Sequence, residues 1–197
     1  MPKIFAFSGF LGSGKTTIVL GLTKYFLQKN KRIILIVNDM GDIGVDSKVL
    51  EKTGSDVHEI VSGCICSHIG YIAPILQGLG SKYEADYVFI EATGLGQPHN
   101  FIPKIKAVAQ NLSDIKDINV VDAVRWFKLK QVVGDVVTNQ LQAADIVIIN
   151  KISDVSKEQL SKVLEDVKEL SPRALVLSVD AKVKEDIEKI AGVIEND

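Results

Sequence analysis

Residues 9–17 read GFLGSGKTT and match the phosphate-loop pattern G-x-x-x-x-G-K-[ST], which constrains the fold more than any other stretch of the chain. An apolar run at residues 4–7 precedes the motif, and apolar residues at helical spacing follow it from 16 to 27. The sequence therefore predicts a buried strand, a glycine-rich loop and a helix whose N-terminal N–H groups face a phosphate group. The alternative is a glycine-rich turn without a ligand.

Each residue type in this motif has a chemical reason to be there. Gly9 and Gly14 allow the backbone to close around an anion, Lys15 neutralises the β- and γ-phosphates of a nucleotide, and the Thr16 hydroxyl ligates Mg²⁺. The predicted phosphate-binding part of a nucleotide site therefore consists of Gly9, Gly12, Ser13, Gly14, Lys15, Thr16 and Thr17.

The composition indicates one domain that needs no disulfide or structural metal to fold, because 46% of the 197 residues are hydrophobic and 24% are charged. A formal net charge of −2, with lysines spread along the chain, argues against nucleic acid as the main partner. No apolar run approaches the roughly 20 residues that a membrane span needs, and no signal-peptide region precedes the first strand. We expect a cytoplasmic protein with a single domain over residues 1–197.

Apolar runs that resemble strands alternate with helical patterns along the chain. This alternation predicts an α/β fold of the phosphate-loop NTPase type, with a mostly parallel sheet and helices on both faces. Residues 38–62 show no regular pattern. The strands are predicted at 3–8, 32–37, 86–90, 117–121, 145–149 and 174–178, and the helices at 14–28, 69–79, 100–110, 136–143, 156–170 and 183–194.

Ligands gather at the carboxyl ends of the strands in such a sheet, so the residues after each strand are candidate site residues. Glu91 ends an apolar strand and is predicted to hold Mg²⁺ through water, while the N–H of Gly94 is predicted to reach the γ-phosphate. Asp39 and Asp42 lie in the glycine-containing acidic segment 38–46, which follows the second predicted strand. A solvated acidic loop is the alternative for that segment.

The two cysteines, Cys64 and Cys66, are separated by one residue. This spacing fits a metal or redox site better than a structural disulfide, although buried small apolar residues are the alternative. An extended backbone over residues 64–68 would place Cys64, Cys66 and His68 on one face as a set of soft-metal ligands. A helix that begins at Ser67 would break that geometry.

Asn150 and Lys151 follow a buried strand, and an acid, Asp154, comes three residues later. An asparagine and a carboxylate at this point can read the edge of guanine, while the lysine stem stacks on the base. We therefore predict that Asn150, Lys151 and Asp154 bind the base.

The combination of motifs resembles the CobW-like branch of the CobW/HypB/UreG family of phosphate-loop GTPases, and the resemblance covers about residues 3–155. It implies a slow, Mg²⁺-dependent GTPase that binds GTP and GDP and acts as a metallochaperone, or as a factor that inserts a metal or corrinoid cofactor into a client enzyme. The motifs, in chain order, are GFLGSGKTT at 9–17, VNDMGDIGVD at 37–46, GCIC at 63–66, EATGL at 91–95, VVDA at 120–123 and NK at 150–151.

Three departures from the family pattern affect what the resemblance implies. The family's CxCC motif has Ser67 at its third thiolate position here, which leaves His68 as the nearest substitute ligand. The family's NKxD motif has Ser153 at its acid position, with Asp154 one residue later, so either residue is a candidate reader of the base. CobW-like proteins commonly carry a further C-terminal domain, whereas this sequence ends after the last predicted helix.

The resemblance also implies the remaining parts of the site and its partners. Ser178 opens the segment 178–182, which resembles the loop that touches guanine in GTPases, and it is included in the predicted nucleotide site. Zn²⁺, Ni²⁺ or Co²⁺ suits Cys64 and Cys66, with His68, Asp39 or Asp42 completing the ligand set. The expected partner is a client metalloenzyme or corrinoid protein, and a nucleotide-dependent homodimer is also considered.

Two other functions remain as alternatives at this point. A small-molecule kinase shares the phosphate loop but needs an acceptor site and usually a basic lid, neither of which the sequence indicates. A metal carrier without turnover would use the cysteines alone and would leave Lys15, Thr16 and Glu91 without a role.

Overall fold

A computed structural model describes residues 1–37, 56–59, 69–92, 98–108 and 114–196, with the backbone alone at 56–59, 98–99 and 108. These ranges form a seven-stranded sheet in the order β3-β2-β4-β1-β5-β6-β7, and every recorded strand pairing in it is parallel. The strands are β1 Lys3–Ser8, β2 Ile33–Val37, β3 Asp56–Glu59, β4 Tyr87–Glu91, β5 Ile115–Asp122, β6 Ile146–Asn150 and β7 Leu175–Ser178. The helices are α1 Lys15–Gln28, α2 Ile69–Gln77, α3 Pro98–Val108, α4 Trp126–Ala143, α5 Lys157–Leu170 and α6 Lys184–Asn196, and a short 3₁₀ helix spans Ile152–Asp154.

Helices cover both faces of this sheet, which confirms the predicted fold class. Alternate residues of each strand point to opposite faces, so Phe5 and Phe7 of β1 pack towards α1 and α6, while Ile4 and Ala6 pack towards α2 and α3. Helices α4 and α5 cover the remaining part of the second face over β6, around Val147. No helix in the described ranges is long and apolar enough to cross a bilayer.

The sequence pattern missed strand β3, Asp56–Glu59, which pairs with the outer edge of β2 from Ile34↔Asp56 to Val37↔Glu59. We predicted an irregular stretch there. The strand has four residues, DVHE, with one aliphatic side chain, so no apolar alternation marks it.

Helix α4 begins at Trp126, ten residues earlier than its predicted start at 136. Its backbone departs from helical geometry at Val133, where φ is −134° and ψ is 38°. Gly134 follows this kink and interrupts the apolar periodicity, which is why the pattern indicated only the second half of the helix.

A buried polar cluster lies on the α2–α5 face of the sheet, directly before the phosphate loop. The Ser8 hydroxyl donates to Asp117 Oδ1 at 2.8 Å and accepts from Asn119 Nδ2 at 3.1 Å. Asp117 Oδ2 is buried and has no hydrogen-bond partner within the described ranges. Burial raises the pKa of Asp117 to about 8, against the effect of the Ser8 hydrogen bond and with a further increase from Asp145. Burial therefore favours the protonated form of Asp117 in the folded protein.

Candidate functional site

The loop between β1 and α1 requires glycine at three positions. Gly9, Gly12 and Gly14 have φ angles of 123°, 72° and 99°, which side-chain-bearing residues rarely adopt. A Cβ atom on Gly9 would lie 2.2 Å from the carbonyl oxygen of Val120, and one on Gly14 would lie 2.2 Å from Asn150 Nδ2. The loop therefore passes too close to β5 and β6 for any side chain at these two positions.

Lys15 is the first residue of α1, and its ammonium group lies inside the curve of this loop. Its Nζ donates to the carbonyl oxygens of Gly9 at 2.9 Å and Phe10 at 3.3 Å, and the residue is 6% exposed. Burial lowers the pKa of Lys15, and the nearby Glu91 carboxylate opposes that effect. The result is a buried cation at a helix N-terminus, where both the charge and the backbone N–H groups favour a phosphate.

Thr16 and Glu91 come together at the carboxyl end of the sheet. Strands β1 and β4 are paired with Phe7 opposite Glu91, which brings the end of β4 beside the first turn of α1. The Thr16 hydroxyl donates to Glu91 Oε1 at 2.6 Å. A hydroxyl and a carboxylate are hard oxygen donors of the kind that Mg²⁺ prefers next to a phosphate, so this pair fits the predicted Mg²⁺ site.

Asn150 connects three segments of the site through one buried side chain. Its Nδ2 donates to the Ser13 carbonyl at 2.8 Å, while its Oδ1 accepts from the backbone N–H groups of Lys151 at 2.8 Å and Ala181 at 2.9 Å. The asparagine thus fixes the phosphate loop relative to the ends of β6 and β7. Ser178 instead ends β7, and its carbonyl accepts from Lys189 at 3.2 Å.

Lys151 and Arg125 hold the outer side of the phosphate loop through Asp122. Lys151 Nζ donates to the Gly12 carbonyl and to Asp122 Oδ2, both at 2.7 Å. Arg125 donates from Nε to Asp122 Oδ2 and from Nη2 to the Leu11 carbonyl, also at 2.7 Å each. Burial opposes ionisation of Asp122, but the hydrogen bonds from these two cations hold its pKa below the ordinary value.

Asp122 acts both as a cap and as part of the site, with one carboxylate oxygen for each task. Oδ1 accepts from the backbone N–H groups of Val124 at 3.0 Å and Arg125 at 3.2 Å, ahead of α4, while Oδ2 binds the two cations. Sequence analysis did not identify Arg125. The only local signal for it is a cation three residues after the acid that ends β5.

The 3₁₀ helix after Lys151 carries both candidate base readers. Ser153 and Asp154 are exposed, and the Asp154 N–H donates to the Lys151 carbonyl at 3.1 Å. Ser153 lies near the carboxylate of Asp180, in the loop after β7, and lowers the pKa of that acid.

The sequence model of the CobW/HypB/UreG nucleotide-binding domain matches residues 3–178. This chain belongs to that family. Zinc chaperone YeiR of Escherichia coli K12 is 31% identical over 163 residues, which cover 80% of this chain and 49% of YeiR. Zinc chaperone CobW of Sinorhizobium is 29% identical over 84% of this chain and 55% of that protein. The chain therefore spans about half the length of these relatives.

Solved structures of family members show the same fold. The crystal structure of HypB from Helicobacter pylori in complex with nickel has a TM-score of 0.69 at 21% identity, with 99% of this chain and 86% of that chain covered. HypB from Archaeoglobus fulgidus gives 0.71 at 20% identity, covering 99% and 89%.

The structure brings together the phosphate-loop residues with Glu91, Asn150 and Lys151. No group of three or more His, Cys, Asp or Glu side chains that suits a metal ion occurs within the described ranges. The other predicted site residues of this CobW/HypB/UreG domain lie outside the described residues, namely Asp39, Asp42, Cys64, Cys66, His68 and Gly94.

Proposed function

We propose that this chain is a Mg²⁺-dependent GTPase that acts as a metallochaperone, or as a factor that inserts a metal or corrinoid cofactor into a client metalloenzyme. One observation carries the proposal: a buried Lys15 inside a glycine loop, with the Thr16–Glu91 pair beside it at the carboxyl end of the sheet. The names of the relatives, zinc chaperones and a zinc-regulated GTPase metalloprotein activator from Dictyostelium discoideum, support the metal-delivery part.

Each residue of the site has one task in this function. Lys15 and the first N–H groups of α1 would hold the β- and γ-phosphates. Thr16 and Glu91 would hold Mg²⁺, which would supply positive charge to the phosphate oxygens. Water attacks the γ-phosphorus, the bond to the β–γ bridging oxygen breaks, and GDP and phosphate leave. Asn150 and Lys151 keep the loop closed on the base side.

We expect slow turnover by the isolated chain, because each of its three arginines either forms other contacts or lies away from the phosphate loop. Arg32 forms ion pairs with Glu84 and Asp86 beside the amino end of β2, and Arg173 precedes the amino end of β7. Arg125 is held by Asp122 and the Leu11 carbonyl. An arginine supplied to the transferring phosphate is worth roughly 10³–10⁵ in rate, so a partner that supplies one would accelerate hydrolysis.

For the cargo, we propose Cys64 and Cys66 as ligands of Zn²⁺, Ni²⁺ or Co²⁺, with His68, Asp39 or Asp42 completing the set. Mixed sulfur, nitrogen and oxygen ligands bind these metals and permit their transfer. The proposal includes a cytoplasmic location, a client metalloenzyme or corrinoid protein as partner and a nucleotide-dependent homodimer.

Glu91→Gln tests the Mg²⁺ part of the site. Loss of the carboxylate charge should lower Mg²⁺-stimulated GTP hydrolysis by roughly 10- to 100-fold, the usual effect of removing a group that orients metal ligands. Binding of GDP in the presence of EDTA should stay within about twofold of wild type. The assay is phosphate release from GTP over a Mg²⁺ titration.

Glu84→Gln is the matched control, because this exposed glutamate pairs with Arg32 near the opposite end of the sheet. It should leave hydrolysis unchanged. Wild-type protein that releases no phosphate from GTP in excess of a Lys15→Ala blank would contradict the GTPase proposal.

A further inference from the structure

We propose that Asp180, and not Ser153 or Asp154, is the carboxylate that reads the guanine base. The inference rests on the proposed function, since it assigns a residue to the base-binding part of that same site. Three structural observations support it.

The first observation is that the loop after β7 packs directly on the loop after β6. Val179 N donates to the Ile149 carbonyl at 2.9 Å, and Ile152 N donates to the Val179 carbonyl at 3.4 Å. Ala181 N donates to Asn150 Oδ1 at 2.9 Å. Asp180 lies between Val179 and Ala181, so its position beside the Asn150–Lys151 segment is fixed on both sides.

The second observation is that Asp180 and Ser153 lie near each other. Ser153 is close enough to the Asp180 carboxylate to lower the pKa of that acid, and Asp180 Oδ1 accepts from Lys182 N at 3.0 Å. An acid from the loop after β7 therefore lies beside the third residue after Asn150, which is a serine.

The third observation concerns the exposure of the two acids. Asp154 follows Ser153 in the 3₁₀ helix Ile152–Asp154, and successive side chains of such a helix diverge by about 120°. Asp154 is exposed, whereas Asp180 is 7% exposed. Of the two carboxylates, Asp180 is the one built into the contact between the base-side loops.

The chemistry of the base suits this carboxylate. Guanine presents two adjacent donors, N1–H and the 2-amino group, and an ionised carboxylate is an acceptor with two oxygens. The backbone N–H of Lys182 and the nearby Ser153 hold the pKa of Asp180 below its ordinary value, against the effect of burial. Ser153 is exposed and its hydroxyl can rotate, so it can turn away from the carboxylate when a base binds.

The test replaces Asp180 with asparagine and measures affinities for GDP, ADP and xanthosine diphosphate. Xanthine has a carbonyl at C2 where guanine has an amino group, so an asparagine Nδ2 donates where the aspartate accepted. Asp180→Asn should weaken GDP binding roughly 10- to 100-fold and strengthen xanthosine diphosphate binding by at least about 10-fold. Asp154→Asn tests the competing carboxylate, and the inference predicts no gain of xanthosine diphosphate affinity for it. Asp135→Asn, at an exposed position of α4, is the matched control and should change neither affinity.

A gain of xanthosine diphosphate affinity by Asp154→Asn would overturn the inference. An Asp180→Asn variant that loses GDP affinity without gaining xanthosine diphosphate affinity would also overturn the inference. That result would mean that Asp180 only holds the two loops together. Wild-type protein that binds ADP as tightly as GDP would contradict the proposed function itself. Tight and selective GDP binding by wild type, with no gain in Asp180→Asn, would contradict the assignment of Asp180 alone.

Discussion

Replacing Lys15 with alanine should weaken GTP binding by roughly 10- to 150-fold or more, because a hydrogen bond to a charged group contributes about 1.5–3 kcal/mol. The ammonium group is buried inside the phosphate loop, 2.9 Å from the Gly9 carbonyl and 3.3 Å from that of Phe10. Its removal leaves the phosphates without their buried counter-charge and leaves these two carbonyls without their donor. The measurement is the Kd of GTP by calorimetric titration.

Lys24→Ala is the control for this result, since Lys24 is an exposed lysine on the same helix, α1. It should bind GTP like wild type. A Lys15→Ala protein that is folded by circular dichroism and keeps wild-type affinity would remove the phosphate loop from the account.

Asp117→Asn should stabilise the protein increasingly as the pH rises from about 4 to about 8. Burial raises the pKa of Asp117 to about 8, from an ordinary value of 3.8, so the folded chain retains a proton that the unfolded chain has lost across this window. The unfolding free energy of wild type therefore falls by about 1.4 kcal/mol per pH unit through this group. Asparagine resembles the protonated acid in shape and does not ionise.

The measurement is urea denaturation of both proteins at pH 5 and pH 8. The stability of Asp117→Asn relative to wild type should increase by roughly 3–4 kcal/mol between these two values. Asp135→Asn, the same change at an exposed position of α4, should show no such difference. A relative stability that is constant with pH would mean that Asp117 ionises in the folded chain as readily as in the unfolded one.

Local spacing was sufficient to predict the phosphate loop and most elements of the fold. Strand β1, the loop and α1 are contiguous in sequence, and a continuous apolar run before the loop is followed by apolar residues at helical spacing after it. Where an element lacks periodicity, the prediction was wrong. The short polar strand Asp56–Glu59 and the kinked first half of α4 are both cases of this kind.

The contacts on the base side of the site could not be predicted from the sequence. Lys151 hydrogen-bonds to Gly12 and Asp122, and Ser153 lies near Asp180, although these residues are far apart along the chain. Such contacts arise from parallel strand order, which brings the ends of β5, β6 and β7 together at one edge. A sequence pattern indicates Asn150 and Lys151 as a pair, but it contains no information about which acid lies beside them.

The proposed metallochaperone function predicts that nucleotide state alters metal affinity. Residues 38–46 follow β2, which is paired with β4, the strand that ends in Glu91. The proposed metal ligands Asp39 and Asp42 belong to this part of the sequence. If they join Cys64 and Cys66 at the metal, the GTP-bound and GDP-bound states should differ in metal affinity.

The decisive measurement is the Zn²⁺ affinity of the protein by competition with a chromophoric chelator, first with GDP and then with a non-hydrolysable GTP analogue. A coupling of about 1–3 kcal/mol predicts affinities that differ roughly 5- to 150-fold, and Zn²⁺ should change the affinity for the analogue relative to GDP by the same factor. The Cys64→Ala/Cys66→Ala double variant should lose both the tight site and the coupling. Equal Zn²⁺ affinities in the two nucleotide states of the wild-type protein would contradict the account.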